Sequence, residues 1–140
     1  MKITKTQIKE MSKIFAKHKV VFAYLFGSQA TGKAVKSSDV DIAIMLDENI
    51  DAKKRFEIRC KIIPQLSKLF RKETEVVVLN DTKSILFKFI IIKEGKMIYE
   101  KNHEKRFVFE LKTMNEYYDF APFIEKYNKA YLKRELKNHY

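Results

Sequence analysis

The amino-acid sequence predicts a single α/β domain, because short apolar runs typical of buried strands alternate with longer segments of helical periodicity. The composition supports a globular fold: 46% of the 140 residues are hydrophobic, 34% are charged, and there are only 3 Gly and 2 Pro. No internal repeat and no linker rich in Ser, Gly or Pro divides the chain. We therefore expect residues 1–140 to form one domain, with a core over about 1–100 and C-terminal helices over about 101–140.

The N-terminal part of the chain predicts one helix followed by two strands. Residues 4–18 have apolar side chains at helical spacing, and either Thr4 or Thr6 can cap that helix. Apolar runs over residues 20–26 and 39–46 predict buried strands, and a polar loop separates them. These two strands lie on either side of the loop that carries the most informative residues.

Two later segments combine a helical apolar stripe with a proline. Residues 51–70 have the stripe Phe56, Cys60, Ile63, Leu66 and Phe70. Because Pro64 lies inside that pattern, we expect a kink or a break near residue 63. From residue 103 onwards the stripe is Phe107, Leu111, Met114 and Tyr118. Pro122 is expected to end that helix, and residues 123–138 are expected to form a last one.

Between these helices the pattern predicts two further strands and one more helix. Residues 74–79 form a short apolar run typical of a strand. Asn80 and Asp81 follow it and can cap a helix over 82–93. A short strand is expected over 96–99. The element order is therefore that of an α/β protein.

Charge and cysteine content exclude several classes of protein. There are 29 basic and 18 acidic residues, a net charge of +11, so the surface attracts polyanions such as nucleotides, RNA or an acidic protein face. The lone Cys60 excludes an internal disulfide and a cysteine-based zinc site, which suits a reducing cytosol. No apolar run approaches the ~18–20 residues that a membrane span requires, and the N-terminus lacks the apolar core of a signal peptide. We expect a cytoplasmic protein without a membrane partner.

The loop between the first two strands contains a motif that points to phosphate chemistry. Gly27-Ser28 is followed by ten residues and then by Asp39-Val40-Asp41. On a strand, alternate side chains share a face, so Asp39 and Asp41 point the same way about 6.6 Å apart. Two such carboxylates repel each other, and a divalent cation with a preference for hard oxygen ligands, such as Mg²⁺, removes the repulsion. Gly27 allows close approach of a phosphate, and the Ser28 hydroxyl can bind its oxygens.

Two more residues are candidates for the same site. Glu75 lies early in the third predicted strand, so pairing of the second and third strands would bring it to the rim that carries Asp39 and Asp41. There it could accept the acceptor's proton as a general base and help to hold a metal ion. Lys33, in the loop, could contact triphosphate oxygens. A metal-binding carboxylate set beside a phosphate-binding turn predicts nucleotidyl transfer.

The motif Gly27-Ser28-x10-Asp39-x-Asp41, with Gly32 in the loop, resembles the signature of the polymerase-β-like nucleotidyltransferase superfamily. Ser38 also fits it, and three later segments resemble the small MNT (minimal nucleotidyltransferase) proteins: 79–81, 91–95 and 117–120. The resemblance implies a mixed or antiparallel sheet with helices packed on one side. It also implies ATP as substrate and Mg²⁺ as cofactor, with two ions possible.

The same resemblance implies a biological role. MNT proteins are often antitoxins of HEPN-domain RNase toxins, and active members adenylylate a tyrosine of the toxin. The family usually has Asp at the third carboxylate position, where this chain has Glu75. The resemblance therefore predicts a protein adenylyltransferase whose partner is a cognate HEPN toxin, and an oligomer formed with that partner is compatible with it.

Three other functions are compatible with the same residues. Because Glu75 departs from the family's usual Asp, the protein could be a binding-only antitoxin that masks its toxin. A small-molecule transferase of the aminoglycoside type is another alternative, although 140 residues leave little chain for a substrate domain. Nucleic-acid binding through the +11 surface is the third. The chain length favours a macromolecular acceptor, with the C-terminal aromatic helices as the docking surface.

Overall fold

The computed structural model describes residues 1–33 and 39–124, together with the single residues Arg134 and Lys137. The elements, in chain order, are α1 (Lys5–Lys17), β1 (Val20–Phe26), α2 (Ser28–Thr31), β2 (Val40–Leu46), α3 (Ala52–Phe70), β3 (Thr74–Val78), a 3₁₀ turn (Leu79–Asp81), α4 (Ile85–Glu94), β4 (Lys96–Glu100) and α5 (His103–Ile124). Most of the predicted helices and strands are confirmed. None of the helices in the described residues combines the length and the apolar character needed to cross a membrane.

The four strands form one mixed sheet in the order β3-β2-β1-β4. β1 pairs antiparallel with both β2 and β4, whereas β2 and β3 run parallel. A mixed sheet of this kind confirms the predicted fold class. The parallel pair matters for function, because β2 and β3 both begin at the same end of the sheet.

Both faces of the sheet are covered. On the first face, buried residues of α1 and α3 pack against alternate residues of the strands; they include Met11, Phe15, Ile58, Ile62, Val40, Ile42 and Ile44. On the second face, aromatic residues of β1 pack against α4, and Phe109 of α5 lies against the same cluster. The expected one-sided packing therefore describes α1 and α3 only. Helices pack on both faces because all seven residues of β1 are buried, so apolar side chains on each face of this strand must be shielded from water.

α3 is one continuous helix, so the predicted break near residue 63 is wrong. Pro64 is exposed, and the fully buried Ile62 and Leu66 anchor the helix to the sheet on either side of it. The buried stripe is Ile58, Ile62, Leu66 and Phe70. Phe56 and Cys60, which were predicted to share that stripe, are exposed.

The start of α4 also differs from the prediction. Its N-cap is Ser84, whose Oγ accepts a hydrogen bond from the Phe87 amide at 3.1 Å. Asn80 instead exchanges two hydrogen bonds of 2.9 Å with the main chain of Leu46, which joins the end of β2 to the 3₁₀ turn. Asp81 pairs with Arg55 of α3 at 2.7 Å. Both predicted capping residues are therefore engaged in tertiary contacts.

α5 continues through Pro122 to Ile124, so Pro122 does not end the helix as predicted. Its side towards the sheet contains the buried Thr113 and the half-buried Phe109, and Tyr117 stacks on Phe89 of α4 at 3.6 Å. The predicted apolar stripe lies on a different side of the helix and is largely exposed, as described below. Most of the last predicted helix, 123–138, lies outside the described residues.

Candidate active site

Asp41 lies at the centre of the candidate site because it has a register partner on each side. In β1 its partner is Phe26, the last strand residue before Gly27. In β3 its partner is Glu75. The Gly27-Ser28 turn, the Asp39 and Asp41 pair and the third predicted carboxylate therefore lie together at one end of the sheet.

The side chains of Asp41 and Glu75 belong to the same face of the sheet. Ala43 and Val77 follow them by two residues, and both pack in the second core cluster. Since strand side chains alternate between faces, Asp41 and Glu75 must also project on that second face. Asp41 is half-buried, whereas Glu75 is exposed on the edge strand. Asp39 is exposed and directly precedes β2.

The carboxylate of Asp41 experiences the negative charges of two other carboxylates, Asp39 and Glu75. Burial, and after it the negative charges of Asp39 and Glu75, raise the pKa of Asp41 to about 6. A group that already resists ionisation is thus surrounded by two more anions. A divalent cation would reverse this repulsion, and the oxygen donors of Asp39 and Asp41 fit a hard ion such as Mg²⁺.

The carboxylate of Glu75 forms an ion pair with Arg59. Arg59 of α3 donates from Nη2 to Glu75 Oε1 at 3.0 Å and from Nε to the Val76 carbonyl at 2.7 Å. Within residues 1–33 and 39–124, no three His, Cys, Asp or Glu side chains already surround a single ion position. The arrangement is therefore a carboxylate pair with a third carboxylate beside it.

The turn after β1 depends on glycine. Gly27 has φ 72° and ψ −155°, a conformation that only glycine adopts without strain. Its carbonyl accepts hydrogen bonds from the amides of Ala30 and Thr31, which close the four-residue helix α2. Ser28 is the first residue of that helix and is half-buried next to the end of β1. Gly32, at φ 76°, ends the helix.

Lys33 follows this turn and is exposed, with its amide bonded to the Ser28 carbonyl at 3.2 Å. It therefore lies on the same short turn as the candidate phosphate-binding residues. Ser38, the other loop residue of the motif, lies outside the described residues. Phe87 of α4 packs edge-on against Phe26 at 5.7 Å and supports the end of β1 from the second face.

Sequence reasoning missed Arg59. The available signal was the pair Arg55 and Arg59, one helical turn apart in the first half of α3. On the sequence alone this pair cannot be distinguished from an ordinary charged helix face.

Residues 9–104 match the family described as "Polymerase beta, Nucleotidyltransferase". The chain belongs to this family. The predicted family resemblance is confirmed, and this nucleotidyltransferase is an enzyme of the predicted class.

One curated protein and two solved structures are similar to this chain. The protein adenylyltransferase MntA of Shewanella oneidensis is 26% identical to this nucleotidyltransferase over 99 residues, which are 71% of this chain and 67% of that protein. A crystal structure of a toxin–antitoxin with AMP-PNP matches with a TM-score of 0.64 at 22% identity, covering 85% of this chain and 96% of the other. A structure of the tri-AMPylated Shewanella oneidensis HEPN toxin in complex with MNT antitoxin matches with a TM-score of 0.61 at 20% identity, over 87% and 96%. The two structural matches support a shared fold.

Proposed function

We propose that this nucleotidyltransferase is an antitoxin that transfers AMP from ATP to a tyrosine of a cognate HEPN toxin, with Mg²⁺ as cofactor. The observation that carries the proposal is the register of Asp41 with both Phe26 and Glu75, which joins the carboxylates to the Gly27-Ser28 turn. The similarity to MntA, a protein adenylyltransferase, supports the choice of reaction and acceptor class.

The roles of the residues follow from their chemistry. Asp39 and Asp41 would hold Mg²⁺ with Glu75 nearby, and the bound ion would neutralise charge on the triphosphate. The Gly27-Ser28 turn would bind phosphate oxygens through its amides and the Ser28 hydroxyl, and these contacts would orient the α-phosphate.

The transfer itself is a substitution at phosphorus. The acceptor's hydroxyl oxygen forms a bond to the α-phosphorus of ATP, while the bond from that phosphorus to the bridging oxygen breaks and pyrophosphate leaves. Glu75 accepts the hydroxyl proton and passes it to water. Lys33, on the exposed end of the α2 turn, would contact the triphosphate and balance its charge.

The proposed surface for the toxin is the outer stripe of α5, which we define as Phe107, Leu111 and Tyr118. These residues are 58%, 45% and 64% exposed, so three large apolar side chains one to two turns apart face solvent. Phe109 and Thr113, on another side of the same helix, already serve this chain's own core. Exposed apolar area of this kind marks an interaction surface. The solved toxin–antitoxin structures of the same fold favour a HEPN toxin as its occupant.

The test is label transfer from [α-³²P]ATP with Mg²⁺ to a HEPN-domain protein from the same genome. Wild type should label the toxin, and the Asp39→Ala/Asp41→Ala double variant should lose at least ~10³-fold in rate, because the carboxylates that hold the metal are gone. Asp47→Asn is the matched control, since Asp47 lies just past the other end of β2. Label that persists in the double variant would contradict the proposed site.

One observation favours a second candidate, the binding-only antitoxin. The ion pair with Arg59 engages one oxygen of the third carboxylate, Glu75, and this makes Glu75 a weaker base towards an acceptor hydroxyl. A tight complex with the toxin, neutralisation of its RNase activity and no transferred label would establish this alternative. Neutralisation that disappears with the Asp39→Ala/Asp41→Ala variant would exclude it.

A further inference from the structure

Arg59 of α3 makes two hydrogen bonds to β3 beside the candidate site. Its guanidinium donates one hydrogen bond to Glu75 Oε1 and another to the carbonyl of the next residue, Val76. Both donors belong to one planar group, so the carboxylate and the main chain of β3 are fixed relative to each other. Among the described residues, no hydrogen bond reaches the other oxygen, Oε2.

The part of α3 that carries Arg59 is anchored in the core. Arg59 lies in the middle of α3, and its neighbours Ile58 and Ile62 are 4% and 0% exposed in the first core cluster. From there the side chain reaches around the edge of the sheet, because β3 is the edge strand. The guanidinium of Arg59 therefore links the buried part of α3 to Glu75 on the edge strand.

Glu75 requires such a restraint. Its side chain is 53% exposed and has one more rotatable bond than an Asp at the same position would have. Without a partner, its carboxylate would sample several rotamers at the rim of the site. We propose, on the basis of the proposed function, that Arg59 is a positioning residue: it holds Glu75 Oε1 and thereby leaves Oε2 available to the metal that Asp39 and Asp41 would hold.

Arg55 provides a matched control one helical turn away. It also reaches around the same edge from α3, and it forms a bidentate pair with Asp81 at 2.7 Å and 3.1 Å. Asp81 lies in the 3₁₀ turn beyond the end of β3, whereas Glu75 lies at the strand's beginning. Loss of Arg55 removes a similar ion pair from the same helix without touching the candidate metal site.

The experiment measures Mn²⁺ binding to the purified full chain, with the free ion counted by electron paramagnetic resonance. Arg59→Met should raise the Mn²⁺ dissociation constant about 10-fold, the usual effect of removing a group that orients a metal ligand. Arg59→Lys should give an intermediate value, because a lysine can replace one of the two hydrogen bonds. Arg55→Met should change the constant less than about 2-fold. Thermal unfolding of each variant reports whether the fold is retained.

A double-variant cycle decides whether Arg59 acts through Glu75. In the Glu75→Gln background, Arg59→Met should have no additional effect on Mn²⁺ affinity, since the residue that it positions is already uncharged. Unchanged or tighter binding in Arg59→Met alone, or an equal loss in Arg55→Met, would overturn the inference. A wild-type protein that binds no Mn²⁺ through Asp39 and Asp41 would overturn the proposed metal site and the inference together.

Discussion

Asp41 and Glu75 are direct register partners across the parallel pair of β2 and β3, so two acidic residues far apart in sequence lie side by side on one face of the sheet. Such a pair is unfavourable for folding, because neighbouring like charges on a strand pair repel each other. The unfavourable placement at a half-buried position is what a metal-binding site requires and what a purely structural site avoids.

The first prediction concerns the pH dependence of stability without metal. The folded state raises the pKa of Asp41 to about 6, so the folded protein binds this proton more tightly than the unfolded chain does. The contribution of Asp41 to stability must therefore fall as pH rises from about 4 to about 6. Asp41→Asn should remove that loss and stabilise the protein at pH 7 by about 1–2 kcal/mol, after a discount for solvent screening of a half-exposed carboxylate. Urea unfolding in EDTA at several pH values measures this difference.

The control for this experiment has the opposite sign. At Asp47, just beyond the other end of β2, a hydrogen bond from the Asn49 amide lowers the pKa of the carboxyl. Its contribution to stability is present at neutral pH and is lost as pH falls through its lowered pKa. Asp47→Asn should therefore destabilise the protein at pH 7. A destabilised Asp41→Asn variant at pH 7 would contradict the repulsion that we assign to the site.

A second prediction separates the two glycines of the α2 turn. Gly32 has left-handed helical angles, φ 76° and ψ 8°, which asparagine tolerates, and no atom lies within 4 Å of an added Cβ. Gly27 has φ 72° and ψ −155°, which asparagine does not tolerate. Gly32→Asn should cost less than about 1 kcal/mol, whereas Gly27→Asn should cost about 1–3 kcal/mol and reduce nucleotide binding. Chemical unfolding and titration with a non-hydrolysable ATP analogue measure both effects, and equal costs would contradict the assigned role of Gly27.

The sequence allowed the strands and the motif to be predicted, because both are local signals. The apolar runs around Gly27 and before Asp81 mark strands whatever lies next to them, and the spacing of Asp39 and Asp41 puts them on one face of any strand. The pairing partner of Asp41 is not local. Glu75 could be predicted as the neighbour of Asp41 only on the assumption that the second and third strands pair.

The helix faces were the least predictable feature, for a physical reason. α3 has apolar residues on more than one side, and the choice between Phe56 and Ile58 depends on where the sheet lies. The same applies to α5, where the outer stripe has the better helical periodicity but Phe109 contacts the core. Asn80 shows a related limit, since a capping residue and a residue that bonds a distant main chain have the same sequence pattern.

A third prediction follows from the two hydrogen bonds of Asn80. Its side-chain amide donates to the Leu46 carbonyl and accepts from the Leu46 amide. Asn80→Asp keeps the acceptor but places a carboxylate oxygen against the carbonyl, so it should destabilise the protein by about 1–3 kcal/mol. Asn115→Asp, the same chemical change at an exposed position of α5, should remain within about 0.5 kcal/mol. Urea unfolding distinguishes them, and similar values for the two variants would show that the Leu46 contacts contribute little.

The last prediction tests the outer stripe of α5 against an equally exposed aromatic residue elsewhere. Phe107 is 58% exposed on α5 and Phe56 is 62% exposed on α3, so replacement of either by Ser removes a similar apolar surface from water. Neither change should reduce the free energy of unfolding by more than about 0.5 kcal/mol. Only Phe107→Ser should weaken the complex with the toxin, by at least about 10-fold in dissociation constant, because large aromatic residues dominate the energy of interfaces. Calorimetric titration of the toxin into each variant measures this constant. Equal affinities would remove the α5 stripe as the docking surface, and weaker binding by Phe56→Ser alone would move the interface to α3.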